Sequence, residues 1–166
     1  MDSPEVSLLV IENGRVVQAG TPTQVSAQPA TQYVARLVGL NLYGGTLEPA
    51  TGLVHLDDGG TFTVTYNVDD LPALDQAGSS RPRVLVGLRP SAITIHTARP
   101  ADASPRNIWK GTITALEQLT DRIRIQVDVT PAAVADLDLR PGIGVWLSAK
   151  ATETDAYADP GIHAMA

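Results

Sequence analysis

The sequence contains no cysteine among its 166 residues. Disulfide bonds, thiolate metal sites and cysteine nucleophiles are therefore excluded together. Its three histidines, His55, His96 and His163, are scattered without the spacing of metal ligands, so no metal site is predicted. No serine, histidine and aspartate follow one another as in a hydrolase triad, and no catalytic residue is predicted.

Basic residues are also few. Twelve lysines and arginines stand against 18 aspartates and glutamates, which gives a formal net charge of −6. Nucleic acid is not expected as a partner, because duplex binding needs clustered bases and single-strand binding needs exposed aromatics in a basic groove. Aromatic residues make up only 4%, which predicts a core of valine, leucine, isoleucine and alanine. An anion could be bound only locally, by a few donors in one pocket.

Two further absences concern membranes and ATP. No apolar run approaches the roughly 20 residues of a membrane span, and Met1 and Asp2 are not followed by the basic segment of a signal peptide. The Gly-x-x-x-x-Gly-Lys-[Ser/Thr] phosphate loop is missing. Without the amides and lysine of that loop the chain cannot hydrolyse ATP by itself, so it is not predicted to be an enzyme.

What the sequence does contain is an internal repeat. Residues 41–47 (NLYGGTL) and 107–113 (NIWKGTI) share the order Asn, aliphatic, aromatic, any residue, Gly, Thr, aliphatic. Residues 84–96 and 145–157 then each carry an apolar run, one base and a second short run. The interval from Asn to base is similar in the two copies, 89 − 41 = 48 and 150 − 107 = 43 residues. The repeat predicts two similar structural units.

The patterns before and within the repeat predict mainly β structure. Residues 6–19 are typical of a hairpin around an Asn-Gly turn. A Thr-Pro pair at 21–22 favours a helix start, and Pro29 is expected to open a second helix that ends at Gly39. Residues 122–129 alternate between polar and apolar as in a half-buried strand, and a helix is expected from Thr130 to about Leu137. The predicted fold is two tandem OB-like β-barrel units preceded by a hairpin and two short helices.

The N-terminal segment resembles a known family. Residues 10–22 (VIENGRVVQAGTP), Pro29 and residues 33–39 (YVARLVG) are similar to the closing segment of the ATP-binding subunit of ABC importers. In that family the segment forms the last hairpin and helices of the nucleotide-binding domain, before a C-terminal regulatory domain. The resemblance implies that residues 1–40 are the end of something larger, so that the chain is a fragment or a remnant.

The second copy resembles the TOBE domain, in the molybdate-binding form also found in free-standing molbindins. The resemblance covers residues 41 to about 157 and implies an OB-type fold. It is carried by a Ser-x-Arg-Asn motif with a following Gly, by residues 130–134 (TPAAV) and 139–142 (LRPG), and by 150–152 (KAT). Four residues are thereby implied to bind an oxyanion, molybdate or tungstate, at the interface of two subunits or repeats: Ser104, Arg106, Lys150 and Thr152.

All four are hydrogen-bond donors, which suits a tetrahedral dianion whose oxygens only accept. The alternative is that these residues have only a structural role. Arg106 could cap a strand end or pair with Asp102, and Lys150 could be a solvated strand terminus. Asn107 and Gly111 are expected to support the turn.

The first copy is expected to be scaffold. Its Arg89 and Ser91 are the counterparts of Lys150 and Thr152. However, Val38 and Leu40 stand where Ser104 and Arg106 would be. The second copy departs from the family at two places. Pro105 removes an N–H beside the anion, and residues 128–130 run from strand to helix where the family inserts a short hairpin.

The predicted organisation is a nucleotide-binding-domain remnant at 1–40, a first unit at 41–100, a second unit at 101–157 and a tail at 158–166. The predicted function is an oxyanion-binding regulatory domain of an importer ATPase subunit, and the alternative is a ligand-free dimerisation module. A homodimer is expected, attached to the rest of the ATPase subunit and through it to the membrane permease. No cofactor is predicted, and the location implied is the cytoplasmic face of the membrane.

Overall fold

A computed structural model describes residues 6–71, 81–101, 105–128 and 142–161. The two helices are α1 (Pro22–Ala27) and α2 (Gln32–Val38). The strands are β1 (Leu8–Glu12), β2 (Arg15–Gly20), β3 (Asn41–Glu48), β4 (Leu53–Leu56), β5 (Thr61–Thr63), β6 (Thr65–Tyr66), β7 (Arg83–Leu88), β8 (Thr94–His96), β9 (Asn107–Gln118), β10 (Ile123–Asp128), β11 (Gly144–Ala149) and β12 (Thr154–Ala158). The predicted helix at 130–137 lies outside the described residues. No described helix is long and apolar enough to cross a membrane.

The N-terminal segment has the predicted hairpin and helices. β1 and β2 pair antiparallel around Asn13 and Gly14, whose φ angles of 51° and 77° suit this tight turn. α1 begins with a capping box in which Thr21 and Gln24 satisfy each other's backbone amides. The second helix begins later than Pro29, because the hydroxyl of Thr31 caps it by accepting from Val34.

Two sheets follow this segment. A six-stranded sheet has the order β5-β4-β3-β7-β12-β6, and a four-stranded sheet has the order β10-β9-β11-β8. Thus β8, from the first predicted unit, pairs with β11 of the second, while β12, from the second, pairs with β7 of the first. The mainly β prediction is confirmed, and the two copies exchange their last strands.

The registers of the two sheets confirm the repeat. In the first copy Asn41 lies opposite Leu88, and in the second Asn107 lies opposite Ala149. In both cases the base of the repeat, Arg89 or Lys150, comes one residue later. A short 3₁₀ helix then leads to the exchanged strand: turn A (Pro90–Ala92) leads to β8, and turn B (Ala151–Glu153) leads to β12. The exchanged strands therefore enter by equivalent routes.

The core lies around β7, which is covered on both faces. Val84 and Val86 pack with Leu47, Val54 and other residues of the six-stranded sheet. Leu85, on the opposite face, packs with Ala35 of α2 and with Tyr157. The buried apolar residues are largely valine, leucine and alanine, as the shortage of aromatics predicts.

Gly45 is the position where β3 most needs a glycine. A Cβ there would lie 2.5 Å from the backbone oxygen of His55 and 2.6 Å from Val54 Cγ1. Relieving this contact would require a shift of the β4 backbone, which costs free energy. We therefore expect Gly45→Ala to lower the free energy of unfolding by about 1–3 kcal/mol. Gly144→Ala is the matched control, since a Cβ at Gly144 would meet no atom within 4 Å. Equal effects of the two substitutions in chemical denaturation would contradict the packing described for β3.

Tyr157 ties the last strand to the N-terminal segment. Its hydroxyl donates to the backbone oxygen of Pro29 at 2.7 Å, between α1 and α2. Burial raises the pKa of Tyr157, and the nearby Asp159 raises it further. The folded chain therefore keeps this phenol neutral at a pH where the unfolded chain, near its ordinary pKa of about 10, has lost the proton.

The difference in the pKa of Tyr157 between the folded and unfolded states predicts that the chain loses stability as the pH rises above about 10, because the unfolded state then binds fewer protons than the folded state. Tyr157→Phe should lower stability by about 1–2 kcal/mol at neutral pH and make the alkaline loss shallower. Tyr33→Phe, at an exposed tyrosine, is the control. Urea unfolding at pH 7 to 11 measures both effects, and an unchanged alkaline slope in Tyr157→Phe would contradict the assignment.

Candidate functional site

Arg106 and Lys150 lie at the same end of one strand ladder. Asn107 and Ala149 are the final pair between β9 and β11; Arg106 immediately precedes the first and Lys150 immediately follows the second. Both side chains are exposed. Among the described residues, neither takes part in a salt bridge. Ser104 and Asp102 lie outside the described residues.

Asn107 fixes this end of the ladder from inside. The side chain is buried, with 3% exposed. Its Oδ1 accepts from the backbone N–H of Thr63 at 2.6 Å, and its Nδ2 donates to the backbone oxygen of Thr63 at 2.8 Å. Nδ2 also approaches Thr154 Oγ1 at 3.3 Å, and that hydroxyl donates to the backbone oxygen of Lys150 at 2.9 Å. The Asn107 amide therefore joins the start of β9, in the four-stranded sheet, to the edge strand β5 of the six-stranded sheet. This connection lies beside both basic residues.

The strand exchange adds a hydroxyl-bearing strand to the same end. Ser148 of β11 is paired with Thr94 of β8. Thr94 was not predicted from the sequence as part of this site, because it lies 56 residues before Lys150 and enters only through the exchanged strand (150 − 94 = 56). Thr94 is exposed, on the strand that borders the Lys150 end of β11. The described strands next to Lys150 therefore bring further donors and no carboxylate in these paired positions.

Thr152 lies in turn B and faces a cavity of about 370 Å³. Arg89 and Ser91 line the same cavity, together with Glu153 and Asp155. Lys150 and Arg106 are not among the lining residues. The structure thus places Thr152 with the first copy's counterparts of Lys150 and Thr152. Gly111 is buried and paired with Val145, four residues into the β9–β11 ladder from Asn107.

His96 and both tryptophans make side-chain contacts within the folded chain. The ring Nε2 of His96 lies 2.8 Å from Ser148 Oγ, which accounts for this histidine in a strand. Trp109 packs against Phe62 with ring centroids 5.2 Å apart, and the guanidinium of Arg99 lies 5.5 Å from the Trp146 ring centroid. Across residues 6–71, 81–101, 105–128 and 142–161, no group of three metal-ligating side chains comes together.

Comparison with known proteins points to one family. A family profile described as TOBE domain matches residues 103–156. The molybdenum import ATP-binding protein ModC of Mycobacterium tuberculosis (strain ATCC 25618 / H37Rv) is 28% identical over 169 residues, which cover 95% of this chain and 43% of that protein. The molybdate/tungstate import ATP-binding protein WtpC of Pyrococcus abyssi is 25% identical over 158 residues, which cover 89% of this chain and 41% of that protein. The chain spans about two fifths of the length of these relatives.

A solved structure has the same fold. The cytoplasmic molybdate-binding protein ModG, crystallised with molybdate bound, superposes with a TM-score of 0.50 at 20% identity and covers 71% of this chain and 95% of its own. This likeness confirms the OB-like prediction for the fold. Residues 103–156 are therefore a TOBE domain, in a chain whose sequence is related over nearly its whole length to the ATP-binding subunits of molybdate-type ABC importers.

Proposed function

We propose that this chain is the regulatory part of an ABC importer's ATP-binding subunit and that it binds molybdate or tungstate. The observation that carries the proposal is the position of Arg106 and Lys150 at one end of the β9–β11 ladder, exposed and outside every salt bridge between described residues. The relatives' names supply the class of ligand, since ModC and WtpC are import proteins for molybdenum and for molybdate or tungstate.

The chemistry of such a pocket follows from the ligand. Molybdate and tungstate carry two negative charges on oxygens that only accept hydrogen bonds, so a binding site needs donors and must exclude carboxylates. Arg106 and Lys150 supply charge and Ser104 supplies a hydroxyl in the proposed set, whereas Thr152 faces the separate cavity that Arg89 lines. Thr94 is a further donor on the neighbouring strand. In an acidic chain of net charge −6, only such a local collection of donors can hold a dianion.

The N-terminal segment supports the attachment to an ATPase. Leu9, Ile11 and Val16 of the hairpin are each more than half exposed, and so is Leu37 of α2. Such a concentration of exposed aliphatic residues is typical of a surface that is covered by another part of a protein. In this proposal residues 1–40 end the nucleotide-binding domain, whose other parts cover these aliphatic side chains. Residues 41–100 and 101–157 supply the two regulatory units, which exchange β8 and β12, and 158–166 is the tail.

A ligand bound at Lys150 can influence the conformation of the N-terminal segment, and so the ATPase, through turn B, β12 and one hydrogen bond. Lys150 is followed by turn B and then by β12. Tyr157 of β12 donates to Pro29, between α1 and α2 of the N-terminal segment. A bound oxyanion biases the ATPase only if it binds one arrangement of these elements more tightly than another. The proposed assembly is a homodimer on the cytoplasmic side of the permease, with each pocket shared between subunits or repeats.

Calorimetric titration tests the binding. We expect molybdate and tungstate to bind the purified chain more tightly than sulfate or phosphate at equal ionic strength. Equal binding of all four anions would indicate general electrostatic attraction, and the absence of binding would overturn the oxyanion proposal. Because the pocket is proposed to be shared, the titrations should be repeated over a tenfold range of chain concentration with the oligomeric state measured by sedimentation.

A second candidate function is a dimerisation module that binds no ligand. Leu116 and Ile125 are cross-strand partners on β9 and β10, so they lie on one face, and Ile123 lies on the same face two residues along. Their exposed fractions are 66%, 40% and 63%. Sedimentation combined with the anion titrations separates the candidates: a dimer that Leu116→Ser dissociates, in a chain that binds none of the anions, favours this second function.

A further inference from the structure

The cavity lined by Arg89 is the first copy's counterpart of the Lys150 end. Arg89 follows the last pair of the β3–β7 ladder just as Lys150 follows the last pair of the β9–β11 ladder. Leu40 precedes Asn41 as Arg106 precedes Asn107, and Ser91 occupies in turn A the place of Thr152 in turn B. Leu40, Arg89 and Ser91 all line the cavity of about 370 Å³. The first copy, expected to be scaffold, thus contains a pocket at the equivalent place.

The exchanged strand changes the charge of this pocket. Gly87 is paired with Asp155 where the second copy pairs Ser148 with Thr94. The first copy's pocket therefore has a carboxylate where the second has a hydroxyl. Glu153 of turn B adds a second carboxylate to the lining. With a leucine in place of one cation and two carboxylates added, the pocket is unsuited to a dianion, which these carboxylates would repel.

The arginine and the carboxylates of the cavity do not form salt bridges with one another. Arg89 forms no salt bridge within 4.0 Å to Glu153 or Asp155, although all three line the same space. Asp155 accepts a hydrogen bond from Thr65 Oγ1 at 3.1 Å, which holds its carboxylate in place. An arginine can only donate and a carboxylate can only accept, so a ligand that satisfies both ends must carry an acceptor and a donor, and opposite charges on these two groups strengthen both contacts.

We propose that this cavity binds a small zwitterionic ligand, with its anionic group at Arg89 and its cationic amine at Glu153 and Asp155. The hydroxyls of Ser91 and Thr152 provide further polar contacts, and Leu40 provides an apolar wall for the carbon chain between the two charged groups. A volume of about 370 Å³ is in the range of small-molecule pockets, which run from about 300 to 1,000 Å³.

The position of the cavity gives such a ligand a regulatory role. Ser26 and Ala27, at the end of α1, form part of its lining. A ligand there contacts the N-terminal segment, turn A and turn B at once, and so stabilises one placement of the three elements relative to one another. Its chemistry differs from that of the oxyanion proposed for the Lys150 end, and, among the described residues, Thr152 is the one residue of the oxyanion set predicted from the sequence that lines this cavity instead.

The test uses a matched set of probes, 4-aminobutyrate, butyrate and butylamine, titrated into the isotope-labelled chain and followed by the amide resonances of Gly87 and Ala92. We expect 4-aminobutyrate to bind at least fivefold more tightly than either of the singly charged probes. Arg89→Ala and the double variant Glu153→Gln/Asp155→Asn should each remove that preference, because each leaves one of the two charged groups of the zwitterion without its counter-charge.

Two controls separate this site from the oxyanion site. Arg106→Ala should leave 4-aminobutyrate binding unchanged, and Arg89→Ala should leave molybdate binding unchanged, so either site can fail while the other stands. The proposal is overturned if 4-aminobutyrate causes no shift at Gly87 and Ala92, if butyrate or butylamine binds equally well, or if the preference for the zwitterion survives in a folded Arg89→Ala variant.

Discussion

Replacing Asn107 by alanine should be the most damaging single change for the stability of this chain. The amide is buried and satisfies both the N–H and the C=O of Thr63, and it also contacts the hydroxyl of Thr154. Alanine leaves these partners without a hydrogen bond in a place that solvent reaches poorly. At about 1–3 kcal/mol for each unsatisfied group, the free energy of unfolding should fall by about 2–5 kcal/mol. A thermal melt should show a decrease of roughly 5–15 °C for a chain of this size.

Asn41→Ala is the matched control for this prediction. Asn41 holds the equivalent register position in the first copy, opposite Leu88, but its side chain is partly exposed. No side-chain hydrogen bond between described residues involves its amide. We expect a change within about 0.5–1 kcal/mol. If both variants melt at the same temperature, the amide of Asn107 does not join the two sheets as described.

Removing the two bases at the end of the β9–β11 ladder should have the largest effect on binding. A hydrogen bond to a charged partner contributes about 1.5–3 kcal/mol, which corresponds to a 10- to 100-fold change in affinity for each residue. Arg106→Ala and Lys150→Ala should therefore each weaken molybdate binding by about one to two orders of magnitude, and the double variant should bind no measurable molybdate. Because both side chains are exposed, the melting temperature should change little. Calorimetric titration of each variant is the measurement.

Arg122→Ala removes the same charge from a place away from the proposed pocket. Its guanidinium is 72% exposed and pairs with the adjacent Asp121 at 3.1 Å. If molybdate is held by specific donors, this variant should bind as the parent chain does. A loss of affinity in Arg122→Ala equal to that in Arg106→Ala would mean that only the net charge matters, and the pocket assigned to Arg106 and Lys150 would be wrong.

Much of the fold could be predicted because its signals are local. The Asn-Gly turn, the Thr21 cap and Gly39, whose φ is 77°, each determine the backbone within a few residues. The repeat was visible because both copies keep Asn, Gly and Thr at matched positions of a strand. The start of the second helix was predicted three residues early, at Pro29 and not at Gln32, because Pro29 resembled a first-turn proline while Thr31 supplies the actual cap.

The exchange of β8 and β12 could not be read from the sequence, because a strand's alternation does not reveal which sheet it joins. That exchange decides the neighbours of both pockets. It brings Asp155 beside Gly87 and Thr94 beside Ser148. The motif could therefore indicate Arg106 and Lys150, which adjoin one ladder, but not that Thr152 shares a cavity with Arg89. Nor could it indicate that Asn107 reaches Thr63, 44 residues away in the chain.

The most direct test of the oxyanion proposal is a crystal of this chain grown or soaked with tungstate, whose heavy atom is located by its anomalous scattering. The proposal predicts a strong peak within hydrogen-bonding reach of the Arg106 guanidinium and the Lys150 ammonium, absent from crystals of the Arg106→Ala variant. A peak that lies elsewhere, or no peak at tungstate concentrations that saturate the calorimetric titration, would contradict it.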